Sequence, residues 1–197
     1  MEVERKRELP DHIDPAALVH RLVGIGFIEV GRLVEIDTYY SRPDVDFMVT
    51  VECLRVRERN GFAEITYKPA STGAAHSAAD IITKPETNVL LDADQAPQAN
   101  QLLAAIGMVQ LVRVEKDRTT LRHPEHDTVT VAVDTIAGVG SFVETEVLAP
   151  TADGADELLE NTEQRCGFDD LPVVRLPYRD LVMERAPDPH LTSSRRP

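Results

Sequence analysis

Glu2-Val3-Glu4-Arg5-Lys6 opens the chain with an unusual density of charge. In a β-strand, side chains alternate between faces with period two. Glu2, Glu4 and Lys6 then share one face, and Val3 and Arg5 share the other. Two carboxylates and an ammonium in a row make a poor hydrophobic core. They suit a polar interior that holds a metal ion and a charged ligand. The spacing recurs along the chain: Arg55 with Arg57, Thr66 with Lys68, Lys116 with Arg118, and Glu144 with Glu146. Each pair sits in a segment that otherwise reads as strand, and charge on strand faces that should be buried marks a functional site.

The 197 residues suffice for one domain with a substantial core. Hydrophobic residues make up 42% and charged residues 28%, as in an ordinary globular protein. Acidic residues outnumber basic ones, 34 to 21, for a net charge of −13, which argues against a nucleic-acid backbone binder. It does not argue against a local basic pocket selective for a small polyanion. Cys53 and Cys166 have no metal-ligand or CxxC spacing and read as free buried thiols of a reducing compartment. The charged first residues do not resemble a signal peptide, and no apolar run reaches membrane-spanning length. The expectation is a cytoplasmic protein with neither nucleic acid nor membrane as partner.

The first strand, Glu2–Leu9, ends at Pro10. Asp14-Pro15 starts a helix, with Asp as N-cap and Pro at the first helical position. Arg32–Tyr40 and Val51–Arg59 read as strands. Asn60-Gly61 is a strong hairpin signal, and Phe62–Lys68 is its return strand. Pro69–Asp80 reads as a loop. A second round follows: strand Ile81–Leu91, a helix capped by Asp94, then strands Val109–Leu121, Val129–Ile136 and Ser141–Leu148. A third helix is expected over Asp153–Cys166, Tyr178–Glu184 as a short ordered piece, and disorder in the Pro-containing tail from about Ala186. The two halves share the order strand, helix, three strands. Two such antiparallel sheets meeting face to face would close a barrel or tunnel of about eight strands, an α+β fold with its helices outside.

Glu2, Glu4, Asp134, Glu144 and Glu146 offer hard oxygen ligands for Mg2+ or Mn2+; the alternative is that they face solvent. Lys6, Arg55, Arg57, Lys68, Lys84, Lys116 and Arg118 could hold phosphate oxygens, Arg through its planar fork and Lys as a point charge. The alternative is a set of cross-strand salt bridges with the same carboxylates. The histidines have no ligand spacing and read as surface residues. No nucleophilic triad and no phosphate-cradling loop can be argued.

Glu2-x-Glu4-x-Lys6 resembles the ExExK signature of the CYTH superfamily, the triphosphate tunnel metalloenzymes. The resemblance extends through Leu54-Arg55-Val56-Arg57, Thr66-Tyr67-Lys68, Val114-Glu115-Lys116-Asp117-Arg118, Asp134, Gly138–Glu146 and Tyr178-Arg179-Asp180-Leu181, covering residues 1 to about 183. Within the superfamily the chain looks most like bacterial class IV adenylate cyclases. It departs from them at Lys68-Pro69-Ala70, Lys84-Pro85-Glu86 and Gly138-Val139-Gly140. The resemblance implies a single domain over 1–184 with a tail over 185–197. It further implies a closed eight-stranded tunnel, a nucleoside or other triphosphate as ligand, a divalent metal and catalytic roles for Lys6, Arg57 and Lys68. The activity it implies is adenylate cyclase. A thiamine or inorganic triphosphatase is the alternative, and a non-catalytic polyphosphate or nucleotide sensor a further one. A homodimer is compatible with it.

Overall fold

The structure, a computed structural model, describes residues 2–70, 86–149 and 154–185, and of Glu2 the backbone only. Its elements are β1 (Glu2–Leu9), α1 (Pro15–Gly24), β2 (Ile28–Ser41), β3 (Cys53–Arg59), β4 (Phe62–Lys68), β5 (Thr87–Leu91), α2 (Ala96–Ala105), β6 (Val109–Arg122), β7 (Val129–Ile136), β8 (Gly140–Leu148), α3 (Ala155–Cys166) and α4 (Tyr178–Arg185). The local causes are those expected of the residues. The Asp14 carboxylate accepts from the backbone N–H groups of Ala16 and Ala17, both at 3.3 Å, ahead of Pro15. Gly61, at φ 94°, turns β3 into β4. Gly167, at φ 67°, ends α3 in the left-handed conformation.

Asp94 does not cap α2. It lies inside a 3-10 turn, Ala93–Gln95, that feeds the helix. There the Asp92 N–H donates to Gln95 Oε1 at 3.0 Å, and Pro97 fixes the first helical turn just beyond. The expected loop Pro69–Asp80 from Ser71 onward, the start of the strand placed at Ile81, and the tail lie outside the described residues, as does Asp153, the first residue of the expected third helix, which begins at Ala155.

The strands form one antiparallel sheet in the order β1-β8-β7-β6-β2-β3-β4-β5. This corrects the expectation of two sheets meeting face to face. The halves do run strand, helix, three strands, but their long central strands β2 and β6 pair with each other. Each opening strand then crosses over: β1 pairs with β8 of the second half, and β5 with β4 of the first. Among the described residues β1 and β5 do not pair, so hydrogen bonds do not close the sheet.

Register sorts every residue onto one of two faces. The outer face is apolar and covered by helices. Leu18 and Leu22 of α1 pack on Leu9, Leu121, Val131, Val133 and Val143. Ala155 and Leu159 of α3 pack on Val3, Val129 and Val147. Ala96, Ala99 and Leu103 of α2 pack on Val56 and Ala63. Burial of these side chains, at about 25 cal/mol per Å2 of apolar surface, is the main force holding helices to sheet. Arg5 shares this face with Val3; with Arg7 it grips the buried Glu163 of α3, at 3.0 and 2.7 Å. Among the described residues no helix is long and apolar enough to cross a membrane. Both cysteines are free, Cys166 buried and Cys53 partly so.

One element crosses the opposite face. Helix α4 begins at Tyr178, and a segment of only four residues, 176–179, ties it to both sides of the sheet. Lys6 of β1 donates to the Leu176 carbonyl just before it, at 2.6 Å. The helix's Arg179 donates to the Glu52 carbonyl at the threshold of β3, at 2.8 Å. In a flat sheet with strands about 4.8 Å apart, β1 and β3 would lie about 24 Å apart. The sheet therefore curls around α4, and this face is concave.

A charged concave face with two walls

The concave face carries the residues singled out by their spacing. Cross-strand register sets Glu4 opposite Glu146 and Lys6 opposite Glu144 on β1 and β8. It sets Arg118 opposite Asp134 on β6 and β7, and Glu35 opposite Lys116 on β2 and β6. It continues with Asp37 opposite Arg57 and Arg55 opposite Thr66. Acids dominate the β1-β8-β7 wall and cations the β6-β2-β3-β4 wall. Lys84 lies outside the described residues. Glu2 places its backbone on this face, and its side chain is not described.

On the basic wall, β2 supplies two buried carboxylates that hold the cations in place. Asp37 takes Nε and a terminal nitrogen of Arg57, both at 2.7 Å, with Arg55 at 3.6 Å. Glu35, 2% exposed, meets Lys116 at 2.6 Å, Arg59 at 3.1 Å and Arg57 at 3.5 Å. Burial alone would raise both acids. The hydrogen bonds and charges of Arg57 and Arg55 overcome it at Asp37 and hold its carboxyl at about 2. Arg57 and Lys116 likewise keep Glu35 below the usual range. Lys68 pairs with Glu86 at 2.6 Å. The alternative of cross-strand ion pairs is thus realised, but mostly with partners other than the acids singled out from the sequence. Glu35 and Asp37 repeat the i, i+2 charge spacing of Glu2-x-Glu4, so the same signal could have found them.

On the acidic wall, Arg118 forks onto Asp134 at 2.7 and 2.6 Å and also bonds Glu144. Asp134 accepts in addition from the Tyr178 hydroxyl at 2.8 Å. Lys6 and Lys116 lie 4.1 and 5.6 Å from the centre of the Tyr178 ring, within cation–π range. Burial pulls the Lys6 ammonium below its ordinary value, against the opposing pull of Glu144. Burial, then the charges of Glu144 and Asp134, drive the Tyr178 phenol well above its own. Tyr178 joins Tyr39, Val114, Ile136 and Phe142 in an apolar cluster that fills this end of the face.

The donor chemistry fits a hard divalent cation. Glu4 and Glu146 oppose each other directly across β1 and β8 and offer hard oxygen donors. Among the described residues, however, no three His, Cys, Asp or Glu side chains gather closely enough to hold one. Arg118 occupies Asp134 and Glu144 instead. Among the described residues, His20 lies on α1, and His123 and His126 lie at the β6–β7 turn. His123 is buried, contrary to expectation, because its Nδ1 accepts the backbone N–H groups of Glu125 and His126 and so pins the β6–β7 turn.

Comparison with known proteins agrees with this geometry. A family model described as the CYTH domain matches residues 1–170. A Methanocaldococcus jannaschii protein named a "putative adenylate cyclase" is 24% identical over 160 residues, 81% of this chain and 84% of that one. A solved Pyrococcus horikoshii structure, 26% identical, superposes with a TM-score of 0.72 over 93% of this chain and 99% of its own. A Hippeastrum protein described as a "putative adenylyl cyclase" with a dominant triphosphatase activity superposes at 0.64 over 89% and 91%, with 15% identity.

Proposed function

The chain belongs to the CYTH domain family, and we propose that it is a metal-dependent enzyme acting on a triphosphate held in its concave face, in the first place an adenylate cyclase. One observation carries the reading. Cations from four strands, Lys6, Arg55, Arg57, Lys68, Lys116 and Arg118, share a concave face with an acidic wall of Glu4, Asp134, Glu144 and Glu146. A bare polyphosphate needs only the cations. The pairing of both walls is what a metal-bound polyphosphate requires. We take residues 1–184 as the working domain and the β1 and β5 edges as flanking a tunnel.

Glu4, Asp134, Glu144 and Glu146, with Glu2, would hold Mg2+ or Mn2+. When bound, the metal neutralises phosphate charge and lowers the pKa of the attacking hydroxyl. Lys6, Arg55, Arg57, Lys68, Lys116 and Arg118 bind the phosphate oxygens, with Lys84 placed by the motif alone. Lys6, Arg57 and Lys68 stabilise the charge that develops as the bond breaks. Asp37 engages Nε and one terminal nitrogen of Arg57 and so orients the guanidinium, which leaves its remaining terminal N–H groups for the phosphate. In the cyclase reaction the ribose 3′-oxygen attacks the α-phosphorus and pyrophosphate leaves. A triphosphatase is the second reading, supported by the activity described for the Hippeastrum neighbour; there water attacks the terminal phosphorus and orthophosphate leaves.

Product analysis decides between them. The protein is incubated with Mg2+ or Mn2+ and ATP, thiamine triphosphate or inorganic triphosphate, and the products are chromatographed. Cyclic AMP with pyrophosphate is the expected result. Orthophosphate release would assign the second reading, and binding without turnover would make the protein a polyphosphate sensor.

A further inference from the structure

The filled end of the concave face, at Tyr178, leaves the β3–β4 hairpin at the other end. There Arg59 continues the row Arg55-x-Arg57, two residues and about 7 Å beyond Arg57. Its guanidinium lies 3.7 Å from the centre of the Phe62 ring and is tethered by Glu35 at 3.1 Å. The side chain stays 31% exposed, and its buried Nε has no hydrogen-bond partner. Phe62 is partly exposed, and the neighbouring Leu90 is 73% exposed. No apolar cluster comparable to that around Tyr178 fills this end among the described residues.

We infer that Arg59 and Phe62 form a stacking platform for the base of a nucleoside triphosphate whose phosphates lie deeper, at Arg57 and Lys116. The inference rests on the triphosphate reading above and narrows it to nucleotides. A flat guanidinium held against a phenyl ring presents the planar, polarisable surface on which a base stacks, and such stacking tolerates any base. Inorganic triphosphate has nothing to place there. The platform therefore separates nucleotide from inorganic substrate without touching the phosphate chain.

The test compares two ligands on the full chain with Mg2+ by calorimetric titration: methylene-bridged ATP and methylene-bridged inorganic triphosphate. Phe62→Leu keeps apolar bulk and removes the ring. It is expected to weaken the nucleotide about tenfold, in line with one base stack, and to leave the inorganic ligand within about twofold. Phe62→Tyr, which keeps a ring, is expected to retain nucleotide affinity. Wild-type protein that binds both ligands, with Phe62→Leu changing both alike or neither, overturns the platform and leaves the triphosphate reading intact. Wild-type protein that binds neither ligand overturns both.

Discussion

Asp37 is held ionised by Arg57 and Arg55 against its own burial. Its folded value of about 2 lies below the ordinary aspartate value of 3.8, so its contribution is present above about pH 4 and is lost as pH falls toward 2. From the size of that difference it amounts to about 2 kcal/mol. Urea unfolding followed across this window is expected to give Asp37→Asn a shallower acid limb than wild type; identical limbs would refute the assignment. Lys6 is lowered as well, but for an ammonium a lowered value disfavours the charged form. Burial favours its neutral form, so triphosphate affinity is expected to fall with rising pH from a point below 10.5. Lys6→Arg should move that fall to higher pH, and matching profiles for the two proteins would count against a phosphate contact at residue 6. At this scale the sequence was partly legible. Alternating charge exposed the residues that would face a ligand. The same spacing marks Glu35 and Asp37, but that they hold Arg57 and Arg59 emerges only when β2 and β3 are seen to be neighbours.

At the scale of elements, local chemistry settles most boundaries. The Asp14 cap and Asn60-Gly61 behave as their side chains require, and Gly167 ends α3 because its left-handed φ spares it a side-chain clash. Asp14→Ala is expected to cost about 1 kcal/mol in denaturant unfolding. No change in the midpoint would mean that the cap is redundant with the packing of Leu18 and Leu22. Asp94 does not start the helix that the sequence assigns to it, and the cause is physical. Asp92, Asp94 and Gln95 all offer start signals, and Pro97 decides among them. Helix α4 reads from sequence only as a short ordered segment, because its apolar stripe, Tyr178, Leu181 and Val182, spans a single turn; its place is set by Tyr178 and Arg179 reaching into the sheet.

For the molecule as a whole, the repeat of strand, helix and three strands could be read from pattern, and the crossing of β1 and β5 between halves could not. Strand exchange leaves no periodic trace, since any register that keeps the charges together satisfies the same alternation. What the exchange achieves is width. Lys6 on β1 and Lys68 on β4 stand six places apart in the sheet, about 29 Å if it were flat, too far for one triphosphate to touch both. The most direct measurement is therefore the calorimetric affinity of one ligand, methylene-bridged inorganic triphosphate with Mg2+, for wild type, Lys6→Ala and Lys68→Ala, each verified as folded by circular dichroism. Both variants should bind about tenfold or more weakly, as expected for loss of a charged hydrogen bond; full affinity in either would contradict a single site that spans the curled sheet.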